Sequence, residues 1–324
     1  MRTAFFRVLC ELAEQDERIT LVTGDLGFGV VEPFAKRFPE RFLNVGVAEQ
    51  NMTGVAAGMA LCGKTVFTYS IANFPTLRCL EQIRNDVCYH KANVKVVAVG
   101  GGFSYGALGM THHATEDLAI MRALPEMMVV APGDPWETEC ATRAIANHVS
   151  PCYLRLGRAG EPAVHTSRLA FELGKAITVR DGYDLTLVST GGMLETTLKA
   201  AERLAAKDLN ARVLSMHTIK PIDADAIEKA VAETGAILTI EEHSVVGGLG
   251  GAVAEIVAEL RGRTPFRRLG IPPVFVPEVG SQEYLRARCG LSEDAVVDAA
   301  ISLMRPSGNG GLQGRDSRNY VRRI

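Results

Sequence analysis

The residue with the clearest chemical potential is Glu49, which precedes a run of small and apolar side chains predicted to form a helix over 53–62. A helix of Ala, Gly, Val and Met has no polar face, so we expect it to be buried on nearly all sides. The helix N-terminus favours the anionic carboxylate, whereas apolar burial favours the neutral acid. A carboxyl group under both influences is suited to exchange a proton with a bound ligand. The alternative is that Glu49 only accepts hydrogen bonds from the first backbone N–H groups of the helix.

A second candidate is the histidine pair within Gly-Met-Thr-His-His-Ala-Thr at 109–115. Imidazole accepts and donates protons near neutral pH, so a histidine here is suited to general acid–base chemistry. The alternative is that two adjacent histidines in a Thr-rich loop are merely solvated. The pattern by itself leaves both interpretations open.

Apolar runs alternate with helical patterns along the whole chain, and this alternation predicts an α/β fold. Strands are predicted at Thr20–Thr23, Val66–Ser70, Val94–Val99, Met127–Ala131, Cys152–Leu156, Leu185–Ser189, Arg212–Ser215, Ile237–Ile240 and Phe266–Leu269. Helices are predicted at Arg2–Glu14, Val31–Phe38, Thr53–Cys62, Leu77–Lys91, Leu118–Leu124, Pro135–Asn147, Leu194–Lys207, Ala224–Glu233, Gly251–Arg261 and Glu293–Met304. Asp134 is the predicted N-cap of the helix at Pro135, with Glu137 completing a capping box.

These elements predict two doubly wound domains, each a mostly parallel sheet in three layers. The first domain is predicted over 1–160, a linker over 161–180, and the second domain over 181–306. The glycine-rich, basic end, 307–324, is predicted to be a flexible tail.

The composition excludes several classes of protein. The chain of 324 residues has 35 basic and 37 acidic residues, so its charge suggests no nucleic-acid or membrane partner. No apolar run approaches the roughly 20 residues that span a bilayer. The first helix is amphipathic rather than a signal peptide, and seven scattered cysteines are typical of reduced thiols. We therefore expect a cytoplasmic protein with no metal site of its own.

The string Val-Gly-Val-Ala-Glu-Gln-Asn-Met at 45–52, followed by the small-residue segment, resembles the pyrimidine-binding domain of the transketolase family. In that family the matching Glu hydrogen-bonds the aminopyrimidine ring of thiamin diphosphate. It promotes the imino tautomer that deprotonates the thiazolium carbon to an ylid. The resemblance implies this role for Glu49 and extends to about residue 305, so that a transketolase C-terminal domain follows the first domain.

Two more segments carry the resemblance. Residues 109–119 are similar to the family's Gly-Pro-Thr-His-Gln segment, whose His faces the substrate, and this implies a catalytic and substrate-binding role for His112. The sequence Arg-x-x-(acid)-Gln-Ile-Arg at 78–84 implies that Arg78 contacts the pyrimidine.

The family's two stacking aromatics are missing, since the aligned positions hold Ala72 and Pro75. Phe74 is therefore the candidate for a stacking face on the cofactor. Its alternative is a core position at a strand–helix turn.

The resemblance also implies an altered substrate pocket. Arg158 matches an arginine that grips the substrate phosphate. Leu108 stands where the family has an Asp that reads sugar hydroxyls, and a histidine of the phosphate clamp falls near Gly100. The loss of these polar groups predicts a non-standard substrate.

The chain matches only the second half of a conventional transketolase. The family's first domain holds Mg²⁺ and the diphosphate with a Gly-Asp-Gly motif and a downstream Asn. Here the Gly-Asp pairs at 24–25 and 133–134 continue into Leu and Pro. The resemblance therefore implies an N-terminal partner subunit that binds the diphosphate and Mg²⁺, in an α2β2 heterotetramer.

Glu241-Glu242-His243-Ser244, followed by a glycine run, is not a dinucleotide fingerprint, because the glycine spacing is wrong. It resembles the family's C-terminal domain, which is chiefly structural, and we predict no catalytic role for His243.

The reaction predicted for this chain is transfer of a two-carbon ketol unit from a ketose phosphate to an aldehyde, with thiamin diphosphate as cofactor. Two enzymatic alternatives are a 1-deoxyxylulose-5-phosphate synthase-like enzyme, which uses pyruvate, and the beta subunit of a 2-oxo acid dehydrogenase. A third is a regulatory paralogue that binds the partner without turnover.

Overall fold

The computed structural model describes residues 1–166, 169–260 and 264–305. The predicted tail, 307–324, lies outside these ranges. The strands are β1 (Ile19–Thr23), β2 (Phe42–Asn44), β3 (Thr65–Ile71), β4 (Val94–Val99), β5 (Met128–Val130), β6 (Cys152–Leu156), β7 (Ile177–Arg180), β8 (Leu185–Ser189), β9 (Ala211–Ser215), β10 (Thr218–Lys220), β11 (Ile237–Ser244) and β12 (Phe266–Ile271). The α-helices are α1 (Arg2–Gln15), α2 (Glu32–Arg37), α3 (Glu49–Leu61), α4 (Leu80–Gln82), α5 (Asp117–Ala123), α6 (Pro135–Asn147), α7 (Leu194–Ala205), α8 (Ala224–Glu233), α9 (Leu249–Glu259), α10 (Gln282–Arg288) and α11 (Glu293–Met304).

Within the described ranges these strands form two sheets. The first has the order β10-β5-β6-β4-β3-β1-β2 and the second the order β12-β11-β8-β9-β7. All neighbouring strands run parallel except the pairs β10–β5 and β7–β9. The predicted α/β fold with two mostly parallel sheets is confirmed, and β4, β6 and β8 begin and end where the sequence predicts.

The first sheet is covered on both faces, as the predicted three layers require. Alternate residues of β4 face opposite apolar clusters: Val96 belongs to one and Val97 to the other. Helix α3 packs on the first cluster through Met52, and α1 packs on the second through Phe5. Because both faces are buried, the central strands are continuous apolar runs, which the sequence reveals clearly.

Three strands, β2, β7 and β10, were not predicted. Each is short and lies at the edge of a sheet, where a strand pairs with only one neighbour. β7 falls inside 161–180, so the last residues of the predicted linker belong to the second sheet. β10 follows β9 in sequence but joins the first sheet, so that the polypeptide crosses from one sheet to the other.

Helix α3 begins earlier than predicted, at Glu49, and the prediction of burial on nearly all sides is wrong for this chain. One side packs through Met52, Thr53, Ala56 and Ala57. The other side is exposed along a stripe formed by Gln50, Asn51, Gly54, Gly58 and Leu61. Small side chains therefore do not mark complete burial here.

Two other predicted helices differ in detail. The single helix expected over 77–91 is a 3₁₀ turn at Leu77–Cys79, the short α4, and a π turn at Ile83–Cys88. Asp134 caps α6 as predicted, because its carboxylate accepts a hydrogen bond from the Glu137 N–H at 2.8 Å. The Glu137 carboxylate accepts from Gly133 N–H, one residue before the position that a capping box requires.

The strand order places a topological switch point at β1. This strand lies between β2 and β3, so the chain winds away from it in both directions. In parallel sheets such a switch point leaves a crevice at the carboxyl ends of the strands, where ligands bind. The loops after β1, β3, β4 and β6 meet at this edge. None of the helices within the described ranges has both the length and the apolar character that crossing a membrane requires.

Candidate active site

The carboxylate of Glu49 lies at the first residue of α3 and is almost completely buried, with 1% of the residue exposed. Its Oε2 accepts a hydrogen bond from Arg78 Nη1 at 2.6 Å, and its Oε1 accepts one from Ser70 Oγ at 3.3 Å. Gly24, directly after β1, lies so close that an added Cβ would be 3.2 Å from Glu49 Cγ. A buried carboxylate is costly unless it is paired, so Arg78 and Ser70 account for its stability here.

Arg78 and Phe74 connect Glu49 to the histidine loop. The Arg78 Cζ atom lies 4.8 Å from the centroid of the Phe74 ring, and the Arg78 side chain is 45% exposed. The Phe74 and His112 ring centroids are 5.2 Å apart at an interplanar angle of 77°. Phe74 is half-buried, so the fully buried core alternative does not describe it. Its ring contacts two candidate site residues instead.

His112 ends a 3₁₀ turn formed by Met110–His112. Its Nδ1 atom lies 3.0 Å from Thr111 Oγ1. His113, the other histidine of the pair, is buried with its ring perpendicular to Phe103, and burial lowers the pKa of His113. The structure therefore separates the two histidines, since only His112 is next to Phe74.

The loop after β4 brings in Tyr105, which sequence reasoning missed. Its ring centroid is 6.4 Å from that of His112, and the Arg158 Cζ atom lies 5.1 Å from its centroid. Gly100 has a φ of +95°, and an added Cβ there would be 2.2 Å from Tyr105 Cδ2. The Tyr105 ring thus fills the space beside Gly100, and no larger residue fits there unless the ring moves. An aromatic residue inside a glycine-rich loop was the available signal.

Arg2 and Tyr69 were missed as well. Among the described residues, Arg2 Nε and the Tyr69 hydroxyl are buried without a hydrogen-bond partner. Burial raises the pKa of Tyr69 well above its usual value, and Arg2 opposes that rise. Burial also raises the pKa of Tyr105, and the positive charges of Arg2 and Arg158 oppose that rise, so both guanidinium groups lie within electrostatic range of the Tyr105 hydroxyl.

The ion pairs found within the described part of the chain include neither Arg2 nor Arg158. Two guanidinium groups that have no carboxylate partner among the described residues, one of them over the Tyr105 ring, make an end of the site suited to an anion.

Leu108 lies on the same loop but apart from these contacts. It ends a 3₁₀ turn, Gly106–Leu108, just before the His112 turn, and is 56% exposed. The structure therefore joins Glu49, Arg78, Phe74 and His112 by direct contacts and continues them through Tyr105 to Arg158. Leu108 contributes an exposed apolar group near that path.

Buried polar residues between the two sheets connect the segment that follows His112 to the second sheet. Arg155 pairs with Asp117 at 2.8 Å and donates to the backbone carbonyls of Ala114 and Glu242. His243 Nε2 accepts a hydrogen bond from Ala119 N–H at 3.2 Å, and burial lowers the pKa of His243 to about 4. This neutral, hydrogen-bonded histidine connects β11 of the second sheet to helix α5.

Two family models match this chain. The transketolase pyrimidine binding domain matches residues 1–160, and the transketolase C-terminal domain matches residues 174–296. A subunit of the apulose-4-phosphate transketolase of Phocaeicola vulgatus is 41% identical, covering 94% of this chain and 97% of that protein. The 6-deoxy-6-sulfo-D-fructose transketolase subunit SqwH of a Clostridium species is 40% identical, with 93% of each chain covered.

A solved structure gives the same result. It is a split gene transketolase in the form of an inactive beta4 tetramer, with 40% identity and a TM-score of 0.85. The match covers 94% of this chain and 97% of that chain. The chain therefore belongs to the transketolase family, in which it corresponds to the pyrimidine-binding domain followed by the C-terminal domain.

Proposed function

We propose that this chain is the C-terminal subunit of a two-chain transketolase that transfers a two-carbon ketol unit from a ketose phosphate to an aldehyde. The observation that carries the proposal is the contact path from the buried Glu49 carboxylate through Arg78 and Phe74 to His112. This path joins a group suited to proton exchange with a cofactor to one suited to proton transfer at a substrate.

The residues at this edge fit the pyrimidine end of thiamin diphosphate. The Glu49 carboxylate offers an acceptor and proton-exchange partner for a ring nitrogen, and the Phe74 ring offers an apolar face. When bound, the cofactor supplies the nucleophilic carbon that attacks the ketose carbonyl. Glu49 takes and returns the proton at the pyrimidine nitrogen, while Arg78 orients its carboxylate.

His112 acts on the substrate. Its Nδ1 is next to Thr111 Oγ1, which leaves Nε2 to take and return a proton at a substrate hydroxyl or carbonyl oxygen. Phe74 packs against one side of this ring and keeps it near the cofactor edge. The two proton-transfer groups, Glu49 and His112, thus serve different molecules.

The diphosphate and Mg²⁺ are held mainly by an N-terminal partner subunit, and the assembly is an α2β2 heterotetramer. The domains matched here are the pyrimidine-binding and C-terminal ones, and the two named relatives are both called transketolase subunits. A partner that carries the Gly-Asp-Gly and Asn residues completes the cofactor site.

The donor is a sugar with an anionic group and a less polar neighbourhood than a standard pentose phosphate presents. Arg158 and Arg2 contact the anion, and Tyr105 lies between the anion end and His112. Leu108 offers no hydrogen bond to a sugar hydroxyl. The two relatives named above are described as acting on apulose 4-phosphate and on a sulfofructose.

Calorimetry with and without the partner tests the split enzyme. We expect the isolated chain to bind thiamin diphosphate very weakly, and the mixture with the partner to bind it tightly and with a requirement for Mg²⁺. Micromolar affinity for the isolated chain would contradict the proposal.

A donor screen on the reconstituted pair tests the reaction. Turnover of a ketose phosphate but not of pyruvate is expected, whereas pyruvate turnover indicates a synthase or a 2-oxo acid dehydrogenase subunit. No turnover with any donor, despite stable assembly, indicates a regulatory paralogue. A kcat/KM near 10⁴ M⁻¹s⁻¹ or above for xylulose 5-phosphate with ribose 5-phosphate, roughly the floor for ordinary enzymes, would refute the altered pocket.

A further inference from the structure

The side chain of Asn73 forms hydrogen bonds with the backbone of the residues directly before and after His112. Asn73 lies two residues beyond the end of β3, and its Nδ2 donates to the backbone carbonyl of His113 at 2.6 Å and to that of Thr111 at 3.3 Å. The residue that carries the His112 imidazole is therefore held between two hydrogen bonds from one amide. Neither the family resemblance nor the sequence pattern singles out this residue.

The backbone hydrogen bonds within the histidine segment form only one short turn among the described residues. Within it, His112 N–H donates to the Gly109 carbonyl and His113 N–H to the Met110 carbonyl, which is a single 3₁₀ turn. Its end is connected to the rest of the molecule by an isolated bridge between Gly102 and Ala114 and by the hydrogen bond from Arg155 Nη2 to the Ala114 carbonyl. A turn of this kind has poor hydrogen-bond geometry, so outside contacts decide where its side chains point.

Asn73 also belongs to the cofactor side of the site. Its own carbonyl accepts a hydrogen bond from the Arg78 N–H at 3.4 Å, and its neighbour Phe74 packs on the His112 ring. The same short loop thus orients Arg78, which pairs with Glu49, and fixes the backbone of His112. A change in the loop alters the distance between the two proton-transfer groups.

We propose that Asn73 is a positioning residue that sets the place of His112 relative to Phe74 and the Glu49–Arg78 pair. The inference rests on the proposed role of His112. Asn73 acts through the backbone of the histidine segment. Its N–H donors hold the backbone that carries the imidazole, while Phe74 contacts the imidazole ring itself.

The test is Asn73→Asp in the complex of this chain with its partner. The carboxylate has the same shape but no donor, and it repels both carbonyls. The matched control is Asn93→Asp. Asn93 Nδ2 donates to Thr65 Oγ1 at 3.0 Å, and its Oδ1, like that of Asn73, is buried without a partner in the described structure. Asn93 directly precedes β4, so it lies at the amino ends of the strands, whereas the candidate site lies at their carboxyl ends.

The first measurement is backbone amide hydrogen exchange, followed by mass spectrometry over 110–114. In Asn73→Asp we expect exchange of these amides to accelerate by at least about tenfold, because the turn opens locally. In Asn93→Asp we expect no change there. Unaltered exchange in Asn73→Asp would overturn the proposal whatever the activity.

The second measurement separates cofactor activation from turnover. Asn73→Asp should keep the rate of thiazolium proton–deuterium exchange within about threefold while kcat falls about 100-fold, as expected for a misplaced catalytic group. Asn73→Ala, which removes the donors without adding a charge, should show the same pattern with a smaller loss and serves if the Asp variant does not fold. Equal losses of exchange and turnover would contradict positioning of His112. An inactive wild-type complex, by contrast, contradicts the proposed function and leaves the amide-exchange result to decide on the anchoring.

Discussion

At the scale of single residues, the candidate site is built around one buried carboxylate and the groups that form hydrogen bonds with it. Glu49 is surrounded by small residues of α3 and by Gly24, so little water reaches its carboxylate. Its hydrogen bonds with Arg78 and Ser70 are therefore stronger than the same hydrogen bonds would be at a surface. The hydrogen bonds that stabilise the Glu49 side chain in the fold are thus distinct from its proposed proton exchange with the cofactor. A substitution that keeps the hydrogen bonds but cannot exchange a proton should affect only the proposed function.

Glu49→Gln is the corresponding variant. The amide still accepts from Arg78 but cannot exchange a proton with a ring nitrogen. We expect thiazolium proton–deuterium exchange, followed by NMR in the reconstituted complex, to fall by at least about 100-fold. Glu32→Gln, which alters an exposed carboxylate that accepts from Gly29 N–H, is the control and should leave the rate unchanged. Retention of most of the rate in Glu49→Gln would show that another group activates the cofactor.

Arg158→Met tests the anion end of the same site. A hydrogen bond to a charged group contributes about 1.5–3 kcal/mol, so we expect KM for a phosphorylated donor to rise by about 10- to 100-fold. A neutral ketose provides the control, because its KM does not depend on a guanidinium at that position. An equal rise for both donors would indicate that Arg158 supports the loop and not the substrate.

At the scale of elements, side chains at helix termini and in loops connect segments that are far apart in the sequence. Asp134 shows this at the start of α6, because it combines a cap with a tertiary role. Its Oδ1 accepts from Glu137 N–H, while its Oδ2 accepts from the backbone N–H groups of Val164 and His165 and lies 3.0 Å from His165 Nδ1. One carboxylate therefore joins a helix to the segment that connects the two sheets.

This double role predicts an unequal cost of removing two caps. Ser292 caps α11 by accepting from Ala295 N–H and makes no comparable tertiary hydrogen bond to any described residue, so Ser292→Ala should lower the free energy of unfolding by about 1 kcal/mol. Asp134→Ala also leaves the buried His165 without its partner and should cost at least about 3 kcal/mol. Denaturant unfolding of both variants checks this difference. Equal costs would show that the contact to residues 164 and 165 adds nothing.

At the scale of the whole molecule, buried histidines between the sheets make stability depend on pH. His217 lies just before β10, and its ring is stacked on that of Phe171 with the ring centroids 4.1 Å apart. Burial lowers the pKa of His217 to about 4, and the nearby His165 lowers it further. In the unfolded chain a histidine titrates near 6.5. The stabilising contribution is therefore complete above pH 6.5 and is lost progressively as the pH falls toward 4.

His217→Gln should weaken this dependence. Between pH 7 and pH 5 we expect the free energy of unfolding to fall by about 2 kcal/mol less in His217→Gln than in the wild type. His90→Gln, at an exposed position, is the control and should follow the wild type. Unfolding curves at the two pH values provide the measurement. The same drop in all three proteins would mean that His217 is protonated equally in both states.

The central strands, and Glu49 and His112 as candidate site residues, were recognisable from the sequence, because they depend on local patterns. A strand buried on both faces is a continuous apolar run, and β4, β6 and β8 begin and end where that run does. Edge strands such as β10 have no such pattern. Its pairing with β5 is formed across about 90 residues of chain, so only the folded structure reveals it.

The sequence by itself determined the family, the fold class and the identity of the candidate groups, since these depend on residue type and spacing. The tertiary structure decided which groups meet. Arg2, Tyr69 and Tyr105 come from three separate segments and show no common motif, yet the charge of Arg2 affects both tyrosines and Arg158 lies over the Tyr105 ring. Burial removes water from Arg2 Nε and the Tyr69 hydroxyl without supplying a hydrogen-bond partner from the described residues, and that depends on contacts between distant parts of the chain.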